Sequence, residues 1–289
     1  MRVIVLTTLA MIAFAANSVL CRLALKETSI DPATFAAIRL VAGALALALI
    51  VRLRTRPQAG DGNWLSALAL FAYAAAFSFA YVGLSAAAGA LVLFGAVQVT
   101  MIGYGLWNGE RLRAWQRAGV LLAIAGLVGF LLPGLSAPPI SASVLMLIAG
   151  MAWGGYSLRG RGAGDPVGVT AGNFLRTVPM AIVLVIATLV VNRNLAWDAA
   201  GISYAIASGA ITSGIGYAIW YATLPALKST TAAIVQLSVP LIAALGGVVA
   251  LAEPISARLA VASVAVLGGI ALVTTRLRST KRAGNEPHR

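Results

Sequence analysis

The sequence predicts an all-α integral membrane protein, with ten transmembrane helices arranged as two inverted five-helix repeats around a central cavity. Three observations predict it. Of the 289 residues, 60% are apolar and only 10% charged, against roughly 25% charged in an ordinary soluble domain. The apolar residues fall into ten runs close to the about 20 residues that cross hydrocarbon, joined by connectors too short to fold alone. The second half also repeats features of the first at a constant offset.

The spans expected in order are 3–21, 34–51, 64–82, 87–107, 116–132, 141–158, 168–191, 200–222, 229–251 and 257–275. Hydrocarbon leaves no backbone group unpaired, and these runs are too long and too uniformly apolar for the alternating strands of a barrel, so each is a helix. Span 1 begins with Arg2 and an apolar run to Phe14-Ala15-Ala16, superficially like a cleavable leader. Residues 17–25 continue the apolar pattern, and removing the span would break the repeat, so it is counted as a helix.

A net charge of +13 would suggest nucleic acid in a soluble protein. Here the cations stand at helix ends, which excludes a nucleic-acid surface. Arg2, Arg52, Arg54, Arg56, Arg111, Arg113, Arg117, Arg159, Arg161, Lys228 and the Arg276–Arg289 tail face one side, against Arg22, Lys26, Arg193 and Arg258 on the other. Positive connectors stay cytoplasmic, so both termini are expected there, in a bacterial-type inner (plasma) membrane. The basic tail, 277–289, reads as a solvated anchor near anionic lipid. Cys21 is the single cysteine, so no intramolecular disulfide forms, and no Cys/His spacing suggests a metal site.

Sliding the chain by 143 positions lays Leu84 on Leu227, Phe77 on Trp220, Glu110 on Glu253 and Gly126 on Gly269. Helices 3, 4 and 5 therefore repeat as 8, 9 and 10. The boundary falls between 1–137 and 138–276. Five is odd, so the second half enters the membrane inverted, an arrangement that places a binding site between the halves and favours transport over catalysis.

Phe14-Ala-Ala-Asn17-Ser in helix 1, Asp31-Pro32 with Phe35-Ala-Ala-Ile-Arg39 opening helix 2, Ala152-Trp153-Gly154 in helix 6, and Pro240 preceding Glu253-Pro254 together resemble the EamA-type branch of the drug/metabolite transporter superfamily. Within it they resemble the aromatic amino-acid exporters of the YddG kind. Phe14 stands where the family has Trp, and Val97 where the repeat would put a first-half proline. The resemblance implies ten helices around a cavity lined mostly by helices 1, 3, 4, 6, 8 and 9. It also implies alternating-access export of amino acids, aromatic or otherwise bulky, or of related metabolites.

All eight acids lie in connectors, at helix ends or in the tail, and the one histidine, His288, is in the tail. With no carboxylate or imidazole in the core, movement down a substrate gradient is favoured over proton coupling, with Glu110 and Glu253 as the alternative coupling groups. Intramembrane proteases and lipid transferases lack their chemistry here, so no catalytic residue and no cofactor is expected. The rival reading is efflux of drugs or lipophilic cations, with or without proton coupling. Arg39 and Arg176 read as snorkelling cations, the alternative being contact with a substrate carboxylate.

Asn17, Gln98 and Gln236 are amides near the midplane that can address both ends of a zwitterion. Tyr73, Phe77 and Tyr81 share one face of helix 3 at i, i+4 and i+8, and Tyr217 and Trp220 lie on helix 8. Either set can be a packing stripe, yet the overlay of Phe77 on Trp220 makes them matching walls of one cavity. Trp153 and Tyr156 of helix 6 complete the candidate substrate-binding residues, and Pro240 is the candidate hinge. Trp64, Trp107, Trp115 and Trp197 read as interface anchors. The expected partners are a small-molecule substrate and the bilayer, with no obligate protein partner.

Overall fold

The computed structural model describes residues 1–54, 62–109, 111–134, 137–160, 164–227 and 235–274. The basic tail, Glu110 and the start of the expected ninth span lie outside the described residues. Among those described there is no strand, as hydrocarbon requires. Ten apolar helices follow one another: α1 Arg2–Glu27, α2 Pro32–Arg52, α3 Trp64–Ala80, α4 Ala86–Trp107, α5 Ala114–Leu131, α6 Ile140–Arg159, α7 Pro166–Asn192, α8 Ala199–Thr223, α9 Ser238–Leu251 and α10 Ala257–Thr274. Eight are long enough to cross a bilayer, while α3 and α9 are shorter. Shifted by the repeat offset, the bounds of α5 fall on those of α10.

Polar residues in the connectors start the helices. The Asp31 carboxylate accepts the Ala33 and Thr34 amides ahead of α2, with Pro32 inside the first turn. Asn63 caps α3, Ser85 α4 and Asp198 α8, each satisfying an amide that has no partner within its helix. The amides of Ser29 and Gly201 hold the Asp198 carboxyl below the usual carboxylate range.

Contacts at the helix ends divide into two sets, which shows the antiparallel alternation. At the end where α1 finishes, Arg22 meets Glu253 and Asp31 receives the amide of Ala196. Arg258 there donates to the carbonyls of Gly129 and Leu132. At the end where α2 finishes, Arg54 pairs with Asp165 at 2.9 Å, and Arg159 donates to Ser66 and Asn63.

The main packed pairs respect the repeat. α2 lies on α7 and α5 on α10; α1 on α9 mirrors α6 on α4, and α3 on α6 mirrors α8 on α1. Lipid is as apolar as leucine, so such helices associate through close fit rather than through hydrophobic burial. Small residues supply that fit on α5 and α10, where a side chain on Gly119 or Gly269 would strike the other's backbone carbonyl. Leu45, Val190, Val249 and Val264 are exposed, as apolar residues on a surface that meets hydrocarbon can be.

Two elements depart from the expected spans. Residues Ala207–Ile215 of α8 form a π-helical stretch, the kind of local widening that often accompanies a functional site. The ninth span was expected as one helix with Pro240 near its middle. The described chain instead turns at Leu237 and begins α9 at Ser238, which puts Pro240 in its first turn. Proline offers no amide to the carbonyl of Gln236 and its ring crowds that turn; beside the break the Ser238 hydroxyl donates to the carbonyl of Val235.

Gly209, inside the π stretch, lies so close to Arg39 that an added Cβ would meet that residue's carbonyl. Gly209→Val is expected to push α8 off α2 and lower the melting temperature of the purified protein. Overpacking costs about 1–3 kcal/mol. An unchanged melting temperature would show that the two helices tolerate separation.

Candidate functional site

A small cavity lies among α1, α3, α4, α6 and α8. It is lined by Phe14, Asn17, Ser18, Tyr73, Phe77, Leu93, Phe94, Trp153, Thr212 and Tyr217. Its volume is about 20 Å³, room for roughly one water molecule and far below the roughly 300–1,000 Å³ of a ligand pocket. In this conformation the halves are closed on one another, and a substrate fits only after helices part.

Aromatic rings form most of the wall. Trp153 stands between the halves, 5.0 Å from the ring of Tyr73, 5.1 Å from Tyr217 and 5.5 Å from Tyr156. Phe14 meets Tyr217 edge-on at 5.6 Å and Trp220 at 6.0 Å, and Tyr73 leans on Phe77 at 5.4 Å. Edge-on and tilted pairs of this kind suit the ring quadrupole.

The polar side of the wall is a connected chain. Asn17 Oδ1 accepts the Ser208 hydroxyl at 2.6 Å and lies 3.2 Å from that of Thr212, whose proton is shared with the Ser208 carbonyl. Asn17 Nδ2 donates to the Tyr73 hydroxyl at 3.2 Å, and Arg39 Nη2 approaches the same oxygen at 3.4 Å. Ser208 and Thr212, both within the π stretch, stand four residues apart and so reach Asn17 from one face of α8.

Of the expected site residues, Asn17, Tyr73, Phe77, Trp153 and Tyr217 come together on the cavity. Tyr81 and Trp220 stand behind it, Tyr81 packed on Phe77 with its hydroxyl toward the Ala86 carbonyl. Tyr156 lines a second, polar cleft with Arg159, Thr170, Asn173 and Tyr221. Gln98 is buried on α4, one turn from Phe94, and Gln236 is half-buried beside the break before α9; neither lines the cavity. Among the described residues α9, expected among the lining helices, contributes none to the lining, and the second half's side is formed by Trp153, Thr212 and Tyr217.

Arg39 departs most from expectation. It does not snorkel: it is 2% exposed, with its guanidinium 4.8 Å from the centre of the Phe77 ring and 5.5 Å from that of Tyr73. Its Nη1 is buried and has no hydrogen-bond partner among the described residues. The signal was present in the sequence, since Arg39 falls on the face of α2 that carries Ala36, Leu40, Gly43 and Ala44, all of them buried in the fold. Arg176 does behave as a helix-end cation, half-buried, donating to the Gly172 carbonyl at 3.1 Å and lying over Trp64.

Glu253, one of the two candidate coupling acids, is held by Arg22 at 2.9 Å and accepts the Ala86 amide at 2.8 Å. It closes one end of the bundle away from the cavity.

Ten antiparallel apolar helices in two like halves, closing on an aromatic-walled cavity, define a polytopic membrane protein of the inverted-repeat kind. The family model for EamA-like transporters matches residues 1–132 and again 140–275. The chain belongs to this family, within the drug/metabolite transporter superfamily, and is a membrane transporter of small molecules. It is 54% identical over 285 residues to an uncharacterized protein of Pseudomonas aeruginosa, covering 98% of each chain. A solved crystal structure shares the fold, with a TM-score of 0.64 at 21% identity over 92% of this chain and 97% of that one.

Proposed function

We propose that the protein exports amino acids with aromatic or other bulky side chains, and related metabolites, across a bacterial-type inner membrane by alternating access and facilitated diffusion. The observation that carries this reading is the cavity between the halves, walled by Phe14, Phe77, Trp153 and Tyr217. Its polar side is Asn17 and Tyr73, backed by Ser208, Thr212 and Arg39. A bulky side chain replaces ring–ring contacts on one side, and the backbone groups of the amino acid meet amide, hydroxyl and guanidinium on the other. The excess of cations in one set of connectors supports cytoplasmic termini. Efflux of lipophilic cations is disfavoured by the positive charge of Arg39 behind the wall and by a lining that contains no acid among the described residues.

Uptake of labelled phenylalanine, threonine and methionine into proteoliposomes, with no imposed ion gradient, is expected to be saturable and absent from protein-free vesicles. Uptake that begins only when a pH gradient is applied would overturn the uncoupled mechanism. No uptake under either condition would overturn amino-acid export and bring drug efflux forward.

A further inference from the structure

We infer that Arg39 is the anion anchor of the transport pathway, engaging a carboxylate group on the substrate once the cavity opens. The inference rests on the reading of the aromatic cavity as the substrate site and narrows its substrates to carboxylates with a bulky apolar group.

A guanidinium offers five donors in a fixed fork that matches a carboxylate. Arg39 spends few of them: Nη2 makes one long contact to Tyr73, and Nη1 makes none among the described residues. The ion pairs among those residues are Arg22–Glu253, Lys26–Glu27 and Arg54–Asp165, so no acid there answers the charge of Arg39. A buried cation without a counter-ion is unfavourable inside a bilayer and marks a functional position by default. The faces of Phe77 and Tyr73 compensate in part, and both rings belong to the cavity wall. The guanidinium thus stands directly behind the two rings that must shift when the cavity enlarges beyond a single water. A carboxylate arriving there meets an unspent fork and supplies the missing charge, while its apolar portion lies against Trp153 and Phe14.

The test uses the purified full chain, with binding read as ligand-induced thermal stabilisation and transport read in proteoliposomes. The probes are phenylalanine, 3-phenylpropionate, which lacks the ammonium, and phenylalaninamide, which lacks the carboxylate. The native protein is expected to bind the first two and not the amide. In Arg39→Met the preference for carboxylate over amide is expected to vanish and the KM for phenylalanine to rise about 10- to 100-fold, the range of a charge-assisted hydrogen bond. Its unliganded melting temperature is expected to equal or exceed the native value, since an apolar group of similar length replaces an unpaired charge. Arg39→Lys keeps the charge without the fork, and a smaller rise in KM with a reduced preference is expected.

Binding of 3-phenylpropionate without phenylalanine would support the anion anchor and overturn amino-acid export. Retention of the carboxylate preference in Arg39→Met, or of the full native preference and KM in Arg39→Lys if the first variant fails to fold, would overturn the anchor alone. A native protein that binds none of the three probes would overturn both.

Discussion

Trp153→Ala is expected to lower kcat/KM for phenylalanine about tenfold or more, while the purified protein stays monodisperse and helical. Trp153 contacts both Tyr73 of α3 in the first half and Tyr217 of α8 in the second. Truncating it removes the surface on which a planar side chain stacks, and each aromatic pair is worth about 0.5–1.5 kcal/mol beyond its area. The ring is only half-buried, so the helices around it keep their own contacts, and Gly154, whose added Cβ would crowd Thr100 on α4, still seats α6. The discriminating comparison is with threonine. Loss confined to aromatic substrates assigns the ring to recognition, an equal loss for threonine would make it a packing residue, and full activity for both would remove the cavity assignment. Trp153→Phe should restore most of the phenylalanine rate.

The helices were legible because a membrane leaves the backbone no other choice, and helix ends carried explicit signals such as Asp31-Pro32 and Asp198. The repeat was legible because Phe77, Leu84, Glu110 and Gly126 return as Trp220, Leu227, Glu253 and Gly269 at one constant offset. Inward and outward faces were harder to read. In α2 every residue beyond the cap region except Arg39 and the terminal Arg52 is apolar or small, so hydropathy has no polar face to contrast with, and only the run of small residues around Arg39 betrayed the packed side. The same ambiguity affected the amides. Asn17 lines the cavity and meets Ser208 and Thr212 of α8, whereas Gln98, equally polar and equally deep, is not among the lining residues. A π stretch has no composition of its own, and Pro240 announces a break in the helix without saying on which side of it the chain resumes.

Glu253→Ala is expected to open the end of the bundle where α1 finishes, and the single native cysteine is suitably placed to report it. Arg22 binds Glu253 through Nε at 2.9 Å and donates through Nη1 to the carbonyls of Tyr81 and Val82 at the end of α3. The other carboxylate oxygen receives the first amide of α4 from Ala86. A cation at one helix's C-terminus and an anion at the next one's N-terminus are each favoured by the helix dipoles. One ion pair thereby ties α1, α3 and α4 of the first half to the turn between α9 and α10 in the second. That turn is itself shaped for the purpose, with Ala252 in the left-handed region at φ 51° and the Glu253 amide returned to the Gly247 carbonyl. Breaking a buried pair by deleting one member costs about 3–5 kcal/mol. Arg22 and Glu253 retain 14% and 9% exposure, so the lower part of that range applies. Under alternating access this end must separate once per cycle, and a difference of about 3 kcal/mol shifts the open population roughly 100-fold. Cys21 adjoins Arg22 and is wholly buried. Its rate of modification by a membrane-impermeant maleimide is therefore expected to rise at least about tenfold in Glu253→Ala. A rate equal to that of the native protein would show that the Arg22–Glu253 pair fastens the fold without gating the cavity.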